Sequence, residues 1–208
     1  MSTCGGSRGP VLFLTNNENT EPMVRWLERR GETVLRWGGA LSPKNVDEVS
    51  PSLVLSFNYR HIVSAETIAS FPCPAANVHC SVLPWNRGAS PNFFSWLDGT
   101  PKGVTVHELA AGLDRGGILL QCLFDMDAGS ETFRSSYDRL IKEAEGLLRR
   151  NWRALREGRI APVEQAGGGS YHSMAELRAI DATFPIDWDS NIAEWLAGYR
   201  AARGREAD

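Results

Sequence analysis

Cysteine, net positive charge and long apolar runs are all scarce in this chain, and each shortage closes off a class of protein. The four cysteines, Cys4, Cys73, Cys80 and Cys122, include no Cys-x-x-Cys pair and face no histidine at zinc-finger spacing. That pattern argues against both a metal site and a disulfide framework, and reduced thiols in a cytoplasm are the plainer expectation. Lys and Arg total 22 against 25 Asp and Glu, so the chain lacks the overall positive field on which non-specific binding to DNA or RNA depends. No nucleic-acid partner is expected. Near the start the longest apolar stretch is Val11-Leu-Phe-Leu14, behind a Gly- and Ser-rich lead, and neither a signal peptide nor a membrane span is expected.

What the chain does have is enough apolar content, 42% of 208 residues, to bury one sizeable core. Short apolar strands alternate with helical segments. Val11 to Thr15 reads as a buried strand, Glu21 to Arg30 as a helix with Met23, Trp26 and Leu27 on one face, and Thr33 to Arg36 as the next strand. Leu53 to Phe57 is another strand, Ser64 caps a short helix running through Ala69, and Ala75 to His79 follows a Pro-Cys-Pro turn that cannot continue a helix. Strands recur at Gly103 to Glu108 and Gly117 to Phe124. The alternation predicts an α/β fold, a Rossmann-like and mostly parallel sheet with helices on both faces. From Ser130 to Glu157 apolar residues step by three or four, from Phe133 and Tyr137 to Trp152 and Leu155, so a long amphipathic helix is expected, capped by Ser130, ended by Gly158 and packed on the sheet. Gly167-Gly-Gly-Ser170 then punctuates the chain. The division expected is a catalytic domain over 1–165 and a short C-terminal helical extension over 166–208, packed on the core or on a partner subunit. Ser2 to Gly9 is expected to be disordered.

Chemistry is expected where strands end, because open α/β folds bind ligands outside the carboxyl ends of their strands. His79 closes one strand, and Asn77 two residues earlier shares its face. Asp114 follows in a Gly-rich stretch. Taken singly each has a plain alternative: a structural histidine, a strand-end asparagine bonding its own backbone, a turn aspartate. Asn77-Val-His-Cys-Ser-Val-Leu-Pro84, then Arg87-Gly88 and Pro91, Thr100-Pro-Lys-Gly-Val-Thr-Val-His107, and Gly112-Leu-Asp114-Arg-Gly-Gly117 through Gln121 together say more.

That succession resembles the catalytic core of the folate-dependent formyltransferases, which include methionyl-tRNA formyltransferase, glycinamide ribonucleotide formyltransferase and the sugar N-formyltransferases. The resemblance is close from about Ser56 to Gln121. It implies an enzyme that uses 10-formyltetrahydrofolate as formyl donor, with Asn77, His79 and Asp114 as the catalytic set. Asn77 and His79 would donate to the formyl oxygen as negative charge gathers there, and Asp114 would hold the imidazole or a water and help to move the proton. The carrier would lie against Tyr59, Arg60, Ile62 and Leu83 on one side and Leu109, Ala110, Ala111 and Gly112 on the other. His61 and His107 are expected to be cap and strand residues, not second bases.

Departures from the relatives narrow the acceptor. Thr15-Asn-Asn-Glu18-Asn-Thr-Glu21 has two carboxylates and no glycine, a poor phosphate cradle, which disfavours the purine role. Asn16, Asn17 and Glu18 could bind sugar hydroxyls or an ammonium, or simply form an Asn-rich turn. The tail is short for the C-terminal barrel of methionyl-tRNA formyltransferase. A small primary amine is left, with a nucleotide-linked amino sugar first, gripped by Arg87, Lys102 and tail aromatics such as Tyr171 and Trp188. An amino acid, a hydroxylamine or another specialised-metabolite amine, hydrolysis of the formyl donor and a non-enzymatic folate-binding role stay open. A homodimer is possible by analogy with related sugar enzymes.

Overall fold

The computed structural model describes residues 9–206. Most of the expected N-terminal disorder, and Cys4, lie outside that range. Eight strands and seven helices follow in the order β1 (Val11–Leu14), α1 (Glu21–Arg29), β2 (Val34–Trp37), α2 (Pro43–Val49), β3 (Leu53–Phe57), α3 (Ala65–Ala69), β4 (Ala75–His79), β5 (Arg87–Gly88), α4 (Pro91–Leu97), β6 (Gly103–Glu108), β7 (Ile118–Leu123), α5 (Phe133–Arg156), β8 (Tyr171–His172), α6 (Met174–Thr183) and α7 (Ile192–Glu206). The fold is the expected α/β one.

Six strands form one sheet in the order β2-β1-β3-β4-β6-β7. The first four run parallel; β6 pairs antiparallel to β4, and β7 antiparallel to β6. Every residue of β1 and β3 is buried, as a strand covered on both faces requires. Along β1 the side chains alternate between two cores. Val11 and Phe13 pack with Met23, Leu27, Leu140, Leu148 and Trp152 from α1 and α5, while Leu12 and Leu14 pack with Val54, Leu41, Val63 and Phe71 on the other face. Chain order reverses at β1, which has β2 on one side and β3 on the other, and such a switch point leaves a crevice beyond the strand ends.

Local signals set most of the helix boundaries. Ser64 Oγ accepts from Thr67 N at 3.1 Å and starts α3 as expected. The long helix begins two residues later than expected: Thr132 is its cap and forms a capping box with Ser135, while Ser130 Oγ bonds the Asp127 carbonyl in the preceding turn. Gly158, at φ +62, ends it. Helices α2 and α4, which the sequence pattern did not announce, are short and open with proline in their first turn.

The C-terminal segment is tied to the rest by its own cluster. Phe93, Phe94 and Trp96 of α4 and Phe133 of α5 pack with Ile192, Trp195, Leu196 and Tyr199 of α7. Phe133 therefore faces α4 and α7 and not the sheet. Strand β8 pairs parallel with β5, and His172 stacks on the Phe94 ring at 3.8 Å while reaching Asp98 at 2.8 Å and Glu176 at 3.2 Å. No described helix is long and apolar enough to cross a membrane.

Candidate active site

Strand β4 carries Asn77 and His79 to the carboxyl edge of the sheet, and the antiparallel register sets His107 of β6 directly opposite Asn77. The connection from β6 to β7 folds back over them and brings in Asp114. That return needs glycine at 116, where a Cβ would stand 1.9 Å from the Glu108 carbonyl oxygen. Asp114 adopts φ +53, a left-handed conformation that aspartate tolerates better than most residues. One carboxylate oxygen accepts from Gly88 N at 2.8 Å and faces His79 Nδ1 at 3.6 Å. The other accepts from Asn77 Nδ2 at 3.4 Å and lies 3.4 Å from His107 Nε2. Asn77 Nδ2 also reaches His107 Nε2 at 3.1 Å, and His107 Nδ1 meets the Glu108 carbonyl at 2.8 Å.

These contacts order the protons. His107 donates from Nδ1 to the Glu108 carbonyl, and its Nε2 lies between Asn77 Nδ2 and the Asp114 carboxylate. His79 donates from Nε2 to the Asn86 carbonyl at 2.8 Å, which leaves Nδ1 with its lone pair beside Asp114. Burial lowers the pKa of His79, against the pull of Asp114. Burial would raise that of Asp114, but the facing His79 and His107 and the Gly88 N–H outweigh it and hold the carboxyl at about 2. At neutral pH the pair is a neutral imidazole beside an ionised carboxylate.

Asn86 is the residue behind His79. It is fully buried at φ +57, its N–H donates to Ser170 Oγ at 2.9 Å, and its Oδ1 accepts from Thr100 Oγ1 at 2.6 Å. The C-terminal segment thereby reaches the imidazole through one intermediate residue.

The cluster lies on the floor of a cleft of about 870 Å³. Of the residues expected at the carrier site, Tyr59, Arg60, Ile62, Leu109, Ala110 and Gly112 line this cleft, together with Val63 and Leu113. Leu83 does not: it is buried, its N–H donates to Thr105 Oγ1 and its carbonyl accepts from Gln121. Ala111 is exposed and also lies outside the lining. Of the residues expected at the acceptor only Trp188 lines the cleft, and the contacts of the others show why they do not. Asn16 braces the neighbouring loop, donating to Gly38 and accepting from Arg60 N at 3.0 Å. Asn17 caps the following turn through Asn19 N, and Glu18 is exposed in that turn. Arg87 donates twice to Gln165. Lys102 is spent on the Ser95 and Thr100 carbonyls, over the Trp96 ring, and burial brings its pKa down to about 8. Trp188 reaches the rim and Tyr171 does not.

The second wall sets Gly88, Pro91 and Trp188 beside residues to which the sequence pattern gave no site role: Asn58, Ala89, Ser90, Asn92, Tyr137 and Met174. Tyr137 packs against the sheet core, as its place on the apolar stripe of α5 predicts, and borders the cleft as well. His107 is a strand residue as expected, yet it also completes the cluster. Its signal was its place in the strand, one residue before Glu108 on the chain that pairs with β4.

A family model described as formyl transferase matches residues 37–151. Among solved structures, the formyltransferase PseJ from Anoxybacillus kamchatkensis, in complex with UDP-4,6-dideoxy-4-formamido-L-AltNAc and tetrahydrofolate, is 31% identical over 90% of this chain and 97% of its own, with a TM-score of 0.82. An uncharacterised protein of Mycobacterium tuberculosis grouped with the sugar N-formyltransferases is 27% identical over 83% of this chain and 78% of its own, TM-score 0.73. The N-formyltransferase of Helicobacter canadensis, in complex with folinic acid and dTDP-3-aminofucose, shares the fold at 17% identity over 80% of this chain and 71% of its own, TM-score 0.66.

Proposed function

Because the chain belongs to the formyl transferase family and is an N-formyltransferase, we propose that it moves the formyl group of 10-formyltetrahydrofolate onto the primary amine of a nucleotide-linked amino sugar. The observation that carries this reading is the imidazole of His79, buried, neutral, with Nε2 fixed on Asn86 and Nδ1 open beside Asp114 at the floor of a large cleft.

The donor supplies a formyl carbon open to attack by an amine. His79 Nδ1 takes the proton that the amine must lose, and the adjacent carboxylate of Asp114 stabilises the imidazolium so formed. Asn77 releases its longer contact, the 3.4 Å one to Asp114, and turns that N–H toward the formyl oxygen, where a donor lowers the barrier by a few kcal/mol. His79 then returns the proton to the departing folate nitrogen. The formyl–nitrogen bond of the carrier breaks as the formyl–amine bond forms, and the amine's proton ends on the carrier.

Two walls serve the two reactants. The loops bearing Tyr59 to Val63 and Leu109 to Leu113 fit a flat heterocycle: they leave Ile62 82% and Leu113 42% exposed at the lip, apolar surface that a bound ring would cover. The wall from Gly88 to Asn92 with Tyr137, Met174 and Trp188 is left for the acceptor. A nucleotide-linked sugar is favoured by the ligand of the most similar structure described above, at 31% identity, and by an exposed indole at the rim on which a base can stack.

The test mixes purified protein, 10-formyltetrahydrofolate and the amine corresponding to that formamide, a UDP-linked 4-amino-4,6-dideoxy sugar. Tetrahydrofolate release that depends on the amine, with a gain of one formyl group by mass spectrometry, is the expected result. Release without amine indicates a hydrolase, and tight folate binding without release a binding protein.

A further inference from the structure

The acceptor wall contains a polar corner that neither the reacting cluster nor the carrier wall uses. Tyr137, in the second turn of α5, faces the cleft near Asn58 and Cys80, with Asn19 beside it. Burial pushes its phenol up to about 12, although Asn19 and Asn58 act the other way. It is therefore a neutral O–H donor at any working pH. Asn58 leaves β3 at φ +55 and its Nδ2 donates to Asn19 Oδ1 at 2.9 Å, which holds both amides in place beside the Tyr137 phenol and makes Asn58 Oδ1, Asn19 Nδ2 and that phenol the polar groups of the corner. The Cys80 thiol, also pushed up to about 12 by burial, brings no charge.

The corner thus offers donors and acceptors but no cation. Arg60 and His61, on the carrier wall, are turned to each other at 3.3 Å, and the His61 ring meets the Gly38 carbonyl at 3.2 Å. A carboxylate set among Tyr137, Asn58 and Asn19 would lose its water without gaining a counter-charge. A hydroxyl or an amide would exchange water for equivalent hydrogen bonds.

We propose that Tyr137, Asn58 and Asn19 form the subsite that reads the acceptor next to its reacting amine, and that the group it takes is an uncharged hydroxyl or acylamino substituent. The inference rests on the function proposed above and sharpens it, because it separates amino sugars from amino acids, whose carboxylate lies one carbon from the amine. Tyr137 and Asn58 are specificity-determining residues on this view, and Asn19 positions Asn58.

The experiment measures steady-state kinetics of the full chain with the UDP-linked 4-amino sugar as probe, for the unsubstituted protein, Tyr137→Phe and Asn58→Gly, glycine being free to keep the left-handed backbone. Each variant is expected to raise KM for the sugar about three- to tenfold, the range of one neutral hydrogen bond, more than it lowers kcat. KM for 10-formyltetrahydrofolate and the circular dichroism spectrum should stay as they are. Glycine and aspartate, offered as acceptors, should gain no formyl group. Unchanged KM for the sugar in both variants overturns the subsite while leaving the proposed function standing, and so does formylation of either amino acid at a rate comparable to the sugar. Failure of the unsubstituted protein to formylate the sugar overturns both.

Discussion

His79 and Asp114 differ in what each can lose. His79 holds the lone pair that meets the proton, so His79→Ala should lower kcat by about 100- to 10,000-fold, the usual worth of a positioned general base, with folate affinity kept, as checked by single-turnover kinetics and a binding titration. Asp114 acts through the imidazole. Its negative charge raises the pKa of His79 while burial lowers it more, so the neutral base persists below the ordinary histidine value of about 6.5. The acid limb of kcat/KM is expected below that pH. Asp114→Asn removes the raising influence, and the limb should move to still lower pH even as the rate falls. A limb that stays in place or moves up would show that His79 is not the titrating group.

At the scale of elements, the two-residue pair of β5 and β8 matters more than its length suggests. Gly88 sits at φ +90, and a Cβ there would stand 2.3 Å from the His172 carbonyl oxygen, so only glycine lets the two strands meet. Its N–H also donates the shorter of the two hydrogen bonds to the Asp114 carboxylate from Gly88 and Asn77, at 2.8 Å. Gly88→Ala should push β8 away, release Asp114 and cut activity at least tenfold. Thermal stability should fall with it, since Ser170 beside β8 also holds Asn86. An active, unshifted Gly88→Ala protein would show that the C-terminal segment does not brace the site. Its cluster of Ile192, Trp195 and Tyr199 against Phe93 and Phe133 explains why that segment stays docked: burying aromatic side chains of this size is worth several kcal/mol.

For the molecule as a whole, the buried titratable cluster makes the fold acid-sensitive, and the sign is fixed. His79 has a folded pKa below its unfolded value and Asp114 has one at about 2 against 3.8. In both cases the unfolded chain binds more protons as the medium turns acid. Stability is therefore full above about pH 6.5, declines as His79 is driven to protonate, and declines again between pH 3.8 and about 2 as Asp114 loses its charge, the latter step contributing on the order of 2 kcal/mol. Urea midpoints measured from pH 7 downward should fall, and His79→Gln should flatten the upper part of that decline.

The six strands of the main sheet, the cap at Ser64, the stop at Gly158 and the shared face of Asn77 and His79 were legible in the chain because each depends on neighbours a few residues away: alternation, a side-chain oxygen near a helix start, a period of two along a strand. The succession of motifs from Asn77 to Gln121 also carried the family. What the tertiary structure decided depends on residues far apart in sequence. Asn86 chooses which nitrogen of His79 is free, His107 completes the carboxylate's surroundings across a strand pair, and Tyr137, packed on the core from the apolar stripe of α5, also borders the cleft. Lys102 and Arg87 looked like free cations until Ser95, Thr100 and Gln165 folded onto them. A hydrogen-bond partner is set by where the chain returns in space, and local pattern carries no record of that.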